Sequence, residues 1–384
     1  MKNNIHLNIK GFIARLDDVK YFFGIFVTSI AFISAVLTIL SVLKVDLVWI
    51  ETNKRIAGYI IFIHCVTVGF ISLYYRKIIA VCGDGGGHRI DGPDNDSILA
   101  SELISSLKTA LNAKKYLEVI RVGSALSKPF FSSGNYRARL SIGLLVEEAA
   151  AITNDEKTQM AELIDSIGWM SVELGDLDNG EKYIQHGLQY ALKNDDKFYI
   201  SKANRHLGAI CRRRELFQDA EKYYDLSLKY ADEVIDNEKK IEAIAATKYA
   251  LALLYYHIKN NQKALASIDE SVKKFADIKY IDKITMANTL KAQILFALDK
   301  IPEAKDLYRV SLNEAEKRTL RMEMVRCYIG LTRIYLKEKN YVKADEYLEK
   351  SDSMEKNIQS ASELAEITFL RSQIPSDVGT AKKT

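Results

Sequence analysis

At 384 residues, with 54 Lys and Arg against 50 Asp and Glu, the chain is nearly charge-balanced at a formal +4. A nucleic-acid binder carries a basic excess along a face or stripe, so this balance argues against a duplex as ligand. Four cysteines, Cys65, Cys82, Cys211 and Cys327, lack the paired spacing of a zinc site or disulfide framework and suit a reducing compartment.

Residues 1–20 read as an amphipathic N-terminal segment ahead of two uncharged runs, 21–43 and 56–75. A helix rises ~1.5 Å per residue, so each run is long enough to cross a hydrocarbon core of about 30 Å. The first run is too long for a typical signal-peptide core and is followed by a second, so a transmembrane hairpin over 21–75 is expected. Lys2, Lys10, Arg15, Lys20, Arg76, Lys77 and Arg89 flank the hairpin, against Lys44, Lys54 and Arg55 in its turn. That bias places both termini in the cytosol, as a multi-pass protein of the inner (plasma) membrane, with the bilayer as one partner. Gly24, Thr28, Ala31, Ala35 and Thr38 share one face of the first run. Such a face lets backbones approach, either within the hairpin or between protomers of a homo-oligomer. His64 lies mid-span, where a hydrogen bond to a neighbouring helix is the simpler role and a proton or ion path the alternative.

Residues 76–96 contain "VCGDGGGHRIDGPDND". This stretch follows a membrane run and lacks the Lys-Ser or Lys-Thr ending of a phosphate loop. Asp91, Asp94 and Asp96 do not have calcium-loop spacing, and Cys82 with His88 gives too few ligands for zinc. It reads as a hinge linker ending at a helix N-cap near Asp96 or Ser97.

Beyond it the pattern is helical with short polar turns. Segments 97–152 form a divergent helical start, in which Pro129 is expected to break the helix. A repeated element then runs through 153–356. Its first small residues are Gly180, Ala220, Ala264, Ala304 and Ala344, separated by 40, 44, 40 and 40 positions. Four places on lies a large residue, Ile184, Tyr224, Ile268, Tyr308 or Leu348, and three further on a small one, Gly187, Ser227, Ser271, Ser311 or Ser351. Twelve positions upstream, "IGWM", "LGAI", "LALL", "KAQI" and "LTRI" mark the preceding helix. Self-similarity at such a period is the mark of a solenoid, in which each unit buries its apolar face on the next. Residues 357–374 suit a capping helix and 375–384 a loose tail.

The small–large–small rhythm resembles the tetratricopeptide repeat (TPR) family, in a variant with a forty-residue period. The fold expected is all-α: an N-terminal two-helix transmembrane hairpin, then an α-solenoid of TPR-like helical hairpins. The resemblance implies a concave groove lined by the first helix of each hairpin. Carried onto this sequence, that groove presents Lys202, Arg205, Ala209 and Arg212, then Ala246, Tyr249, Leu253 and Tyr256. Met286, Thr289, Gln293 and Phe296 follow, then Arg326, Gly330, Arg333 and Lys337; the first repeat departs with Glu162, Asp165 and Trp169. Two basic walls would flank an aromatic, amide-bearing middle, suited to an acidic peptide, a protein partner or an anionic small-molecule signal. The same residues are also what an ordinary solvated helix face carries. No catalytic arrangement, cofactor site or metal site is found, so a membrane-anchored adaptor or sensor is expected rather than an enzyme. The alternative is a membrane-disrupting effector whose hairpins rearrange on ligand binding, a layout similar to two-span effectors of bacterial antiviral defence.

Overall fold

The computed structural model describes residues 95–355 and 360–375, all within one compact unit, Gly92–Thr384. The two apolar runs, the linker up to residue 94 and the tail from 376 lie outside the described residues. Among the described residues no helix is long and apolar enough to cross a membrane.

The chain forms α1 (Asn95–Asn112), α2 (Tyr116–Ser133), α3 (Tyr136–Ile152) and α4 (Glu156–Ala161). A π-helical stretch (Glu162–Gly168) continues α4 into α5 (Trp169–Glu173). There follow α6 (Leu177–Lys193), α7 (Lys197–Arg213), α8 (Phe217–Asp232), α9 (Asn237–His257) and α10 (Asn261–Asp277). The last are α11 (Ile281–Ala297), α12 (Ile301–Arg318), α13 (Arg321–Lys337), α14 (Tyr341–Glu355) and α15 (Ala361–Arg371). Consecutive helices pair as antiparallel hairpins, and each hairpin stacks on the next, giving an all-α solenoid.

Local chemistry dictates where each helix stops and starts. Gly134, Gly175, Glu215, Lys259, Asp299 and Lys339 take positive φ at the end of the first helix of successive hairpins. There the reversed bond of a Schellman turn forms, as in Leu216 N–H to Cys211 C=O (2.9 Å) and Asn260 N–H to Tyr255 C=O (2.8 Å). Side chains of Asn135, Asp155, Asp176, Asp196, Asp236, Asn260 and Asn340 then accept a backbone N–H and start the next helix.

Packing follows the repeat rhythm. Ala220, Ala264, Ala304 and Ala344 are fully buried, as are Ile184, Tyr224, Ile268 and Leu348. Gly168 lies against Ile184, Gly187 against Ile164, and Gly208 against the ring of Tyr224. The third small position adds polar stitching: Ser227 bonds Ser201 on α7 (3.1 Å) and Thr247 on α9 (2.8 Å). Ser271 reaches the Ala245 carbonyl at 2.8 Å.

The stretch before residue 152 differs from expectation. Helix α2 runs through Pro129 to Ser133 and closes on Gly134, so the proline does not break it. Pro129 has no N–H to give the Ala125 carbonyl, so the helix loses that one bond and still continues for a further turn. Helix α3 carries Ala138 and Ile142, both buried, at the spacing of Gly180 and Ile184. Helices α2 and α3 therefore form a hairpin like those that follow, with α1 packed against α3.

A Cβ at Gly330 would run into the Tyr308 ring, whose own burial leaves no room to retreat. Gly330→Ala is expected to destabilise the solenoid by about 1–3 kcal/mol in urea unfolding, as overpacked cores do. An unchanged midpoint would show that the stack yields more easily than this packing implies.

Candidate functional site

The first helices of successive hairpins touch one another as well as their partners, which places them on the inside of the curve. The row also curls until its beginning meets its end. Lys128 of α2 lies 3.5 Å from Asp282 of α11, and the Lys283 ammonium stands 5.6 Å from the centre of the Phe131 ring. Tyr136 and Met170 share a buried apolar cluster with Met322, Val325 and Ile329 of α13 and Ile367 and Leu370 of α15. The concave face is thus a narrow interior rather than an open trough.

At the α7 end, the π-helical stretch carries Asp165 toward α7, and the Lys202 ammonium sits 2.8 Å from its carboxylate. Burial alone would raise the Asp165 carboxyl, but Lys202 and His206 outweigh it and hold it well below the usual carboxylate range. Burial, aided by Arg205, pushes His206 down to about 3, so the ring is neutral at pH 7 and stacks on Trp169 at 4.4 Å. Lys202 also stands 4.9 Å from each of the Phe198 and Tyr199 ring centres.

Arg205 is half-buried and has no ion pair or hydrogen bond among the described residues. It lines a recess of about 10 Å³ with Phe198, Ser201, Lys202, Glu242, Ala243 and Ala246. Arg212, expected to be open, is only 9% exposed. One of its terminal nitrogens lies 3.4 Å from His257 Nε2, while its Nε is buried without a partner. The helical-wheel expectation failed at this residue because α9 supplies His257 over that turn of α7. Burial of this kind makes Arg212 a packing residue in the described state.

In the middle, Tyr249 is half-buried and its phenol is driven well above its ordinary range by burial, despite nearby Arg326. Tyr256 and Gln293 are half-buried too, Tyr256 edge-on to His257 at 6.1 Å. At the α13 end the second basic wall carries its own carboxylates. Arg326 bonds Glu323 and Glu363, each at 2.7 Å; Arg333 pairs with Glu366 at 2.7 Å; Lys337 pairs with Asp299. Burial would raise the Glu363 carboxyl, but Arg326 and two serine hydroxyls bring it down to about 2. Arg333 and Lys337 border a cleft of about 430 Å³ shared with Phe296 and with Glu366, Phe369 and Leu370 of α15.

Four interior groups were absent from the sequence-derived set: Glu242, Lys283, Glu363 and Glu366. Glu242 and Lys283 lie one helical turn before Ala246 and Met286, so extending each stripe by a turn would have found them. Glu363 and Glu366 sit on the expected capping helix, forty positions after Glu323 and Arg326, and so continue the same face.

No family model and no curated protein matches the chain. Solved structures do match, at low identity. A Rap protein complexed with competence and sporulation factor is 12% identical over 73% of this chain and 85% of that one, with a TM-score of 0.49. A signal-transduction ATPase with numerous domains and a tetratricopeptide repeat sensor, from Pyrococcus horikoshii, is 16% identical. That match covers 74% of this chain and 42% of the other, with a TM-score of 0.46. BtubC from P. vanneervenii is 14% identical over 65% and 91%, with a TM-score of 0.41.

The Arg326–Glu363 pair ties α15 to α13 and is expected to matter with a definite pH signature. A carboxyl held below its unfolded value stabilises the fold above that unfolded value and loses the effect as pH falls through the folded one. Glu363→Gln should therefore cost about 1.5–3 kcal/mol at pH 7, the range for a bond to a charged group. The deficit should shrink as pH falls from about 4.5 toward 2, read by urea unfolding across that window.

Proposed function

We propose that this chain is a binding protein, an adaptor or sensor rather than an enzyme, whose concave interior takes a peptide, protein segment or acidic ligand. The observation that carries this reading is the convergence, on the inside of one curled row of helices, of cations and half-buried aromatic rings from α7, α9, α11 and α13. Charge-assisted bonds and ring faces are what an acidic, partly apolar ligand needs. The ion pairs already present narrow the role of each residue. Arg326, Arg333 and Lys337 would engage a ligand only by exchanging their carboxylate partners, whereas Arg205 has none to give up. Tyr249, Tyr256 and Gln293 would line the middle of the path.

The two uncharged runs, 21–43 and 56–75, support anchoring in the inner membrane with both termini in the cytosol. In this reading the solenoid meets its ligand in the cytosol.

Two measurements test the proposal on the full chain. A photo-crosslinking residue placed at Tyr256 or Gln293 should capture a defined adduct, while the same residue at Lys222, exposed on α8, should not. Equal capture at all three positions would reject the concave site. A fluorescent or enzymatic reporter after Thr384 should be active only in its cytosolic form, and periplasmic activity would overturn the topology.

A further inference from the structure

Two kinds of contact hold the curled row of helices. Within and between successive hairpins, the contacts are the buried small–large pairs of the repeat. The seam where the beginning of the row meets its end is built differently. Lys128 of α2 reaches Asp282 of α11 at 3.5 Å while its own side chain stays 73% exposed, and ion pairs exposed in this way contribute little. The Lys283 ammonium stands 5.6 Å from the centre of the Phe131 ring. Asp282 and Phe131 each have a second partner on their own side of the seam. Asp282 accepts a bond from Arg318 of α12 at 3.0 Å, and Phe131 has the Arg139 guanidinium of α3 at 5.0 Å from its centre. Parting the seam therefore strands neither the carboxylate nor the ring, and water takes over Lys128. The apolar part of the seam joins Tyr136 and Met170 to Met322, Val325 and Ile329. Methionine is unbranched and repacks readily, so a cluster with one on each side tolerates separation and rejoining.

The shut interior is also too small for the ligand it is read to take. The recess between α7 and α9 measures about 10 Å³, whereas pockets for drug-sized molecules measure about 300–1,000 Å³. The cleft of about 430 Å³ at the α13 end offers room without reaching that wall. We propose that the seam is a gate: α2, α3 and α5 part from α11, α13 and α15 to let a peptide-sized ligand reach the wall formed by α7 and α9. The proposal rests on the concave-face reading and adds how access to that face is controlled. The apolar cluster favours the shut state, and a ligand that binds only the parted state shifts the population toward it. Burial holds Lys283 down to about 8, and water entering the parted seam removes that penalty.

The test needs no ligand and uses the full chain with its four cysteines replaced by alanine. Tyr249, half-buried on α9, is replaced by p-azidophenylalanine, of similar size. The probe is a cyclooctyne carrying a long polyethylene glycol chain, too bulky to pass through the shut interior. Cysteines at positions 128 and 282, joined by a short thiol-to-thiol crosslinker, lock the seam without unfolding the chain. Locking should nearly abolish the reaction at position 249 and leave it unchanged for the same azide at position 222, exposed on α8. Met322→Gln in the unlocked chain should speed the reaction at position 249 about tenfold, because an amide is disfavoured in the shut cluster and hydrated in the parted one. Circular dichroism of that variant separates parting from unfolding. A locked chain that reacts at position 249 as fast as the unlocked one would show entry along the axis and overturn the gate. The two proposals fail separately. A lock-sensitive rate with no crosslinked adduct at Tyr256 would leave the seam a moving part and remove the binding reading; adducts at Tyr256 with a lock-insensitive rate would do the reverse.

Discussion

Where helices of the solenoid cross most closely, glycine faces a large side chain: Gly168 and Ile184, Gly208 and Tyr224, Gly330 and Tyr308. The close approach this permits sets the angle between the helices of a hairpin and between one hairpin and the next. Repeated at intervals of about forty residues, the angle accumulates into a curl. Most of the packing is local, each hairpin against the next, so the curl is a sum of small, similar rotations. Everything on the inner face depends on that sum. The meeting of Tyr136 with Met322, or of Lys128 with Asp282, joins residues far apart in sequence that no single hairpin could bring together.

The curl also decides the electrostatics. Side chains that would be solvated on an isolated helix are turned into an interior where water is scarce, and each charge there needs a partner. Most have one on the neighbouring first helix. Asp165 receives Lys202, Glu173 receives Arg213, Glu363 receives Arg326 and Glu366 receives Arg333. These pairs restrain the spacing between successive hairpins. They also lower the net charge offered to a ligand at the α13 end. Arg205 and Lys283 have no hydrogen-bonded carboxylate among the described residues, and Glu242 acts on both at longer range.

How much of this could be read from the sequence follows the range of each interaction. The small–large–small rhythm is legible because its residues lie on one helix, at spacings of four and three, and recur from Gly180 to Ser351. The helical hairpins themselves were legible for the same reason, whereas the Asp and Asn side chains that start them emerge from the structure. The hairpin of α2 and α3 was harder to see, since Pro129 suggests a break and only Ala138 and Ile142 repeat the spacing clearly. The charge partners were not legible. Arg326 meets Glu363 thirty-seven positions on, and Arg333 meets Glu366 thirty-three on, distances set by how adjacent helices slide. Arg212 was expected to be open because a single helix was considered, whereas His257 comes from the next hairpin. The uncharged runs 21–43 and 56–75 are the plainest signal in the sequence and lie outside the described residues.

The central claim is that the curl of the helix row brings its beginning onto its end, and the contact between Lys128 of α2 and Asp282 of α11 tests it most directly. With Cys65, Cys82, Cys211 and Cys327 replaced by alanine and cysteines placed at positions 128 and 282 of the full chain, a short thiol-to-thiol crosslinker should join the two within one molecule. Cysteines at positions 128 and 222, the second on the outer helix α8, should not be joined. No intramolecular crosslink between positions 128 and 282 would contradict the account.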